Sequence, residues 1–200
     1  MKLVVLKYNA GNIQSVLFAL ERLGVSALVT DDAEEISSSD KFIFPGVGEA
    51  SSAMAYLKER NLDLVIRNLA QPVLGICLGM QLLCKHSEEG NTNCLGVFDA
   101  NVNKFIFSED KTTRELKIPQ IGWNNISRLK SNLFNGIEDN SYCYFVHSYY
   151  AELCSDTAAV TDYGIEFSSA LQKNNFYGVQ FHAEKSSAVG EKILKNFLEL

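Results

Sequence analysis

The sequence predicts an α/β fold around a central mixed, mostly parallel sheet, and three observations carry that prediction. Short apolar runs alternate with amphipathic helical patterns over the first 85 residues, and strands joined by helical crossovers pair in parallel. These runs lack apolar–polar alternation, as expected of parallel strands covered on both faces. In the second half apolar runs succeed one another with short links, so part of the sheet is expected to be antiparallel.

Residues 3–8 read as the first strand. The Asn9-Ala10-Gly11-Asn12 turn follows, with Asn12 placed to cap a helix. On that helix Ile13, Val16, Leu17, Leu20 and Leu23 recur at three- and four-residue spacing, and Gly24 stops it. Residues 26–30 form a second strand candidate, and Phe42-Ile43-Phe44 a third, ended by Pro45. Helical patterns run over 51–59 and 62–69. A fourth strand, 73–76, leads into a helix through Leu82-Leu83. Further strands are expected at 101–107, 142–149, 158–161, 167–171 and 176–181, with the charged stretch 108–117 as an exposed loop. A last helix over 188–198 turns Val189, Ile193, Leu194 and Phe197 inward. No repeat or low-complexity segment divides the chain, so residues 1–200 read as one domain.

Composition narrows the function. Eighteen basic against 24 acidic residues give a net charge of −6, which argues against a nucleic-acid or anionic-membrane surface. No apolar run approaches the roughly 20 residues of a bilayer span, and the apolar start, ended by Lys7, is too short for a signal peptide. The five cysteines are odd in number and contain no C-x-x-C pair. This points to a reducing cytoplasm and away from a disulfide framework or zinc site; no metal or cofactor is expected.

The chemistry centres on Gly75-Ile76-Cys77-Leu78-Gly79, between an apolar strand and a helix. This is the layout of a nucleophile elbow with cysteine in place of serine. Cysteine is among the most buried residue types, so a lone cysteine in a βα turn is first read as core. The flanking glycines, the strand before and the helix after shift that reading to a nucleophile whose thiolate the helix dipole favours. The N–H of Leu78 points the same way, toward an oxyanion. Cys84, Cys94, Cys143 and Cys154 lack this context and read as structural. Of three histidines, His86 reads as a solvated residue ending the nucleophile helix and His147 as a packed strand histidine. His182 ends an apolar strand, with Glu184 two residues on; in extended chain these project to one face, so Glu184 orients the ring as in a triad. Strand ends of an open α/β sheet converge on one edge, bringing Cys77, His182 and the turn Pro45-Gly46-Val47-Gly48 together. There the turn supplies bare N–H groups to an anion.

Taken together, these motifs resemble the triad-type, class I glutamine amidotransferases. Gly75-Ile76-Cys77-Leu78-Gly79-Met80-Gln81 with His182 and Glu184 carries that likeness. Five further segments are similar to the glutaminase subunits of imidazole glycerol phosphate synthases: Tyr8-Asn9-Ala10-Gly11-Asn12, Pro45-Gly46-Val47-Gly48, Pro119-Gln120-Ile121-Gly122-Trp123-Asn124, Tyr144-Phe145-Val146-His147-Ser148-Tyr149 and Phe181-His182-Ala183-Glu184-Lys185-Ser186. The resemblance spans essentially the whole chain. It implies a flavodoxin-like sandwich in which Cys77 attacks the glutamine side-chain amide. His182 protonates the leaving ammonia and then activates water, and Glu184 orients His182. It further implies that Gln81 and the backbone around Ser148 and Tyr149 hold glutamine, with the N–H groups of Val47, between Gly46 and Gly48, and of Leu78 as oxyanion hole. Ammonia then passes to a (β/α)8-barrel cyclase/synthase subunit in a heterodimer. That partner makes imidazole glycerol phosphate and an aminoimidazole carboxamide ribotide in histidine biosynthesis. The resemblance puts Asn12, Trp123, Asn124 and Lys185 at the interface, with Trp123 in an exposed loop.

The chain departs from the family pattern at Ala183 and Ala10, where proline is common, at Gln120, where some members carry histidine, and at Cys94, where glycine is common. The alternatives are a glutaminase subunit of a different synthase, such as a sugar-modifying one, and a catalytically silent interaction subunit. Binding of flavin or nucleotide on a flavodoxin-like fold is a third, although the first turn lacks a glycine-rich phosphate cradle.

Overall fold

The computed structural model describes residues 1–9, 13–107 and 116–200. The expected cap at Asn12 and most of the charged loop after residue 107 lie outside the described residues. The chain begins with β1 (Leu3–Leu6), α1 (Ile13–Arg22), β2 (Leu28–Thr30), α2 (Ala33–Ser37) and β3 (Lys41–Gly46). It continues through α3 (Ala50–Glu59), α4 (Leu62–Arg67), β4 (Val73–Cys77), α5 (Leu78–Leu83), β5 (His86–Ser87), β6 (Thr92–Asn93) and β7 (Asn101–Lys104). The remaining elements are β8 (Gln120–Ile126), β9 (Ser141–His147), β10 (Tyr149–Ala151), β11 (Thr157–Asp162), β12 (Glu166–Lys173), β13 (Phe176–Val179) and α6 (Ser187–Glu199).

The main sheet is mixed, with strand order β2-β1-β3-β4-β13-β12-β10-β7-β5-β6 and β11 on the far side of β12. The block from β2 to β13 is parallel, and β12 turns the sheet antiparallel. Alternate residues of β1 enter two apolar cores, Leu3 and Val5 on one side of the sheet and Val4 and Leu6 on the other. Helices α1 and α6 close the first through Val16, Leu20, Ile193 and Phe197. Helices α3, α4 and α5 close the second through Met54, Leu57, Ile66 and Leu82. Both faces are therefore covered, which is why these strands carry continuous apolar runs. Among the described residues no helix is long and apolar enough to cross a membrane.

Four local readings need correction. Pro45 does not end the third strand, because β3 pairs with β4 as far as Gly46 opposite Cys77. Phe42 donates its N–H toward the β4 side, so the nitrogen of Pro45 faces β1, whose pairing with β3 already stops at Ile43, and no ladder bond is lost. The short helix α2 was not foreseen; its signal is Asp32, whose carboxylate accepts from the N–H groups of Glu34 and Glu35 at 2.9 Å each. The expected strand 142–149 is two strands. Ser148 separates β9, in a small sheet with β8, from β10 in the main sheet. His86 does not end a helix: it lies in β5, opposite Asn93 and Asn101.

Candidate active site

Cys77 is the last residue of β4 and directly precedes α5, with φ 54° and ψ −111°. A side chain adopts positive φ only where its surroundings enforce it, and here the close approach of α5 to β3 does so. A Cβ on Gly79 would lie 1.8 Å from the Phe44 carbonyl oxygen, and one on Gly75 2.8 Å from the Met80 nitrogen. Only glycines let the helix sit down on the sheet and turn Cys77 outward at its edge. The N–H of Leu78, at the head of α5, has no intrahelical acceptor.

His182 follows β13, which lies beside β4 with Val179 opposite Ile76. Its own N–H donates to the Tyr144 carbonyl at 2.8 Å. The ring Nδ1 meets Glu184 Oε1 at 2.7 Å, with both side chains buried. Glu184 reaches the ring from a 3-10 turn, Ala183–Lys185, and not from an extended strand end. Burial by itself lowers the pKa of His182. The hydrogen bonds and negative charge of Cys77 and Glu184 outweigh it and raise the value from 6.5 to about 10. The imidazole therefore holds its proton at neutral pH between a sulfur and a carboxylate.

A cleft of about 320 Å³ opens over Cys77 and His182. Its wall includes Val47, Gly48, Leu78, Gln81, Ser148, Tyr149 and Lys185 from the expected set. Gly46, also expected at the site, does not line the cleft; it lies opposite Cys77 in the β3–β4 ladder. Gln81 is buried, and its amide nitrogen donates to the Tyr149 carbonyl and to Gln180 Oε1, each at 2.9 Å. Gln180 in turn brings its amide nitrogen within 3.7 Å of the Cys77 sulfur. His147 donates from Nδ1 to the same Tyr149 carbonyl at 2.7 Å. Its ring packs among Phe105, Phe145 and Phe167, and burial holds its pKa down at about 4, so it is neutral. Burial pushes the thiols of Cys94 and Cys143 up to about 12 and also raises Cys84 and Cys154, which makes all four poor nucleophiles.

The family model for class-I glutamine amidotransferases matches residues 4–200. The chain is 58% identical to imidazole glycerol phosphate synthase subunit HisH of Bacteroides fragilis over 200 residues, all of both chains. It is 46% identical to the subunit of that name from Pectobacterium atrosepticum, again over the full length of both. The chain belongs to the class-I glutamine amidotransferases, and within them to the HisH subunits. The fold agrees. A solved glutamine amidotransferase superposes with a TM-score of 0.74 at 18% identity, covering 98% of this chain and 97% of that one. Another glutamine amidotransferase, from Thermotoga maritima, gives 0.63 at 17% identity, covering 100% of this chain and 83% of that one.

In this class-I amidotransferase two residues of the cleft region escaped the sequence reading. Glu89 lines the cleft, and its Oε2 accepts from the Ala50 N–H at 2.8 Å. Burial raises its pKa against that hydrogen bond. It lies in a short turn between β5 and β6 that carries no motif. Gln180 had a signal, since it stands two residues before His182 and the alternation applied to Glu184 also points backward along the strand. The interface set divides. Trp123 lies on a strand, not in a loop: β8 pairs with β9 over seven residues, Trp123 opposite Tyr144. It is 53% exposed, as are Ile121 and Tyr142 to a similar degree. Lys185 is exposed at the cleft rim. Asn124 points to the other face of β8, where its amide donates to the Asp162 carbonyl at 2.9 Å.

Proposed function

We propose that this HisH-type chain hydrolyses glutamine at Cys77 and delivers the ammonia to a barrel-fold synthase subunit of histidine biosynthesis. The observation that supports this most is the buried Cys77–His182–Glu184 line, in which His182 Nδ1 lies 2.7 Å from Glu184 Oε1. The Cys77 thiolate attacks the amide carbon, and the carbonyl oxygen takes the negative charge, met by the N–H groups of Leu78 and Val47. His182 gives its proton to the amide nitrogen, the C–N bond breaks, and ammonia leaves a thioester. Neutral His182 then takes a proton from water, whose oxygen attacks the thioester and releases glutamate. Glu184 holds the ring throughout.

Glutamine is held at its far end. Gln81 spends both N–H groups on Tyr149 and Gln180, so it presents only an oxygen to the cleft. Together with the Glu89 carboxylate this suits the α-ammonium of an amino acid. Ser148 and Tyr149 wall the side where the α-carboxylate would lie. The exposed face of Ile121, Trp123 and Tyr142 adjoins the cleft through Pro119 and Val146. It suits a partner that seals the mouth and receives the ammonia, with Lys185 as the charged contact. Cytoplasmic location belongs to the same reading.

The test is glutamate release in the presence of the synthase subunit. Cys77→Ala is expected to lower it by at least about a thousandfold, while synthesis from added ammonium salt continues in the complex. Normal glutamate release by Cys77→Ala would overturn the reading.

A further inference from the structure

We propose that Gln180 is the donor that holds the Cys77 sulfur as a thiolate, and that Gln81 fixes its amide in the donating orientation. Only the catalytic consequence rests on the glutaminase reading; the orientation of the two amides follows from their hydrogen bonds alone.

The two ends of an amide side chain have nearly the same shape, so which end faces the sulfur is decided by the network around it. The network has one fixed point. The Tyr149 carbonyl can only accept, so the end of Gln81 that lies 2.9 Å from it must be the NH2 group. The second hydrogen of that group points at Gln180, 2.9 Å away, so the Gln180 end found there must be the oxygen. The NH2 of Gln180 is then left facing the sulfur at 3.7 Å. Turning either amide over would set oxygen against oxygen or nitrogen against nitrogen at 2.9 Å. Gln180 is fully buried, so water cannot take its place.

A hydrogen-bond donor on sulfur favours the thiolate over the thiol. The Val146 carbonyl, 3.8 Å from the sulfur, opposes it, since it can accept only from the S–H and so favours the thiol; Tyr8 sets no charge against the sulfur, because burial and the Cys77 charge both raise its pKa. His182 also supports the thiolate, through a charge that it surrenders when it protonates the leaving group. Gln180 is neutral and keeps its polarity through the whole cycle. It does not exchange protons, so we assign it to positioning and stabilising the sulfur and not to acid–base chemistry. Gln81 thereby has two tasks, since the amide that faces the substrate end of the cleft also sets the amide that faces the nucleophile.

The experiment is the pH profile of Cys77 alkylation by iodoacetamide in the full chain without glutamine, followed by mass spectrometry of the peptide that carries Cys77. Gln180→Met keeps the length and removes the donor. Its profile midpoint is expected about one unit higher than that of the parent protein, with alkylation about tenfold slower below the midpoint. Gln180→Glu keeps the shape and sets a carboxylate against the sulfur; its midpoint is expected higher still. It also carries the test if circular dichroism shows that the Met variant has not folded. Gln81→Met, which removes no hydrogen bond to the sulfur, is expected to shift the midpoint in the same direction by freeing the Gln180 amide to turn over. Unchanged midpoints in the folded Gln180 variants would overturn the proposal, and an unchanged midpoint in Gln81→Met alone would overturn the orienting role. In steady state, Gln180→Met is expected to lower kcat about tenfold with KM within about twofold. A protein that alkylates as expected but releases no ammonia would remove the glutaminase reading and leave the sulfur assignment standing.

Discussion

The parallel block of the main sheet and the small sheet of β8 and β9 are built on opposite terms. Every residue of β1, β3 and β4 is buried, and these strands are held by what covers their two faces. In the small sheet, Cys143 and Phe145 turn inward to the core while Ile121, Trp123 and Tyr142 stay exposed. The first arrangement fixes Cys77 through approaches of α5 to the sheet too close for a methyl group at Gly75 or Gly79. The second leaves an apolar surface open beside it. A strand covered on both sides is specified by its composition, whereas a strand with one open face is specified by the neighbour with which it pairs.

Substitutions can break this contrast, and the largest effect is expected at Gly79. A methyl group there would lie 1.8 Å from the Phe44 carbonyl oxygen, a backbone atom of β3 that cannot swing aside, so α5 or β3 would have to shift. Gly79→Ala should lose about 3 kcal/mol or more in urea denaturation; a loss under about 1 kcal/mol would mean that α5 is not seated as described.

The junction of the two regions is sharpened by His147, at the end of β9. Its folded pKa, about 4, lies below its ordinary 6.5. The unfolded chain therefore takes up a proton that the folded chain refuses, and stability present above pH 6.5 is lost as pH falls toward 4. His182 works in the opposite sense: with its pKa raised from 6.5 to about 10, its contribution is complete below pH 6.5 and is lost as pH rises toward 10. Between about pH 7 and pH 4, His147→Asn should flatten the fall in stability by roughly 3 kcal/mol, read from denaturation midpoints across that range. An acid profile parallel to that of the parent protein would show that His147 is charged in the fold.

The smallest effect on folding is expected at Trp123, half-exposed and in edge-to-face contact with Tyr144 at 5.9 Å. Trp123→Ala should change stability by no more than about 0.5 kcal/mol while weakening synthase binding by about 2 kcal/mol. Calorimetric titration against the barrel subunit measures the second quantity, and unchanged affinity would detach this face from the partner.

The same contrast explains what could be read in advance. The parallel strands, the Cys77 turn and the His182–Glu184 pair were legible because continuous apolar runs, paired glycines and close spacing are local signals. The strand β8 was not legible. Its sequence, Gln-Ile-Gly-Trp-Asn-Asn-Ile, contains a glycine and two asparagines, residues that strands disfavour, and it exists because β9 supplies its ladder. The break at Ser148 was hidden for the opposite reason: the apolar and aromatic residues on both sides of it look like one strand, although the two halves belong to different sheets. Gln180 and Glu89 were missed because uncharged amides and isolated turn carboxylates acquire roles only from neighbours brought in by the fold.

The backbone of Cys77 carries a further consequence. Glycine would accept its φ of 54° without steric penalty, while any residue with a side chain holds strain there of about 1–3 kcal/mol. The position that must bear a sulfur in the proposed reaction is thus one where folding alone would select no side chain at all. Selection for chain stability and selection for reactivity pull this single codon in opposite directions, and the surrounding sheet must be stable enough to absorb the difference.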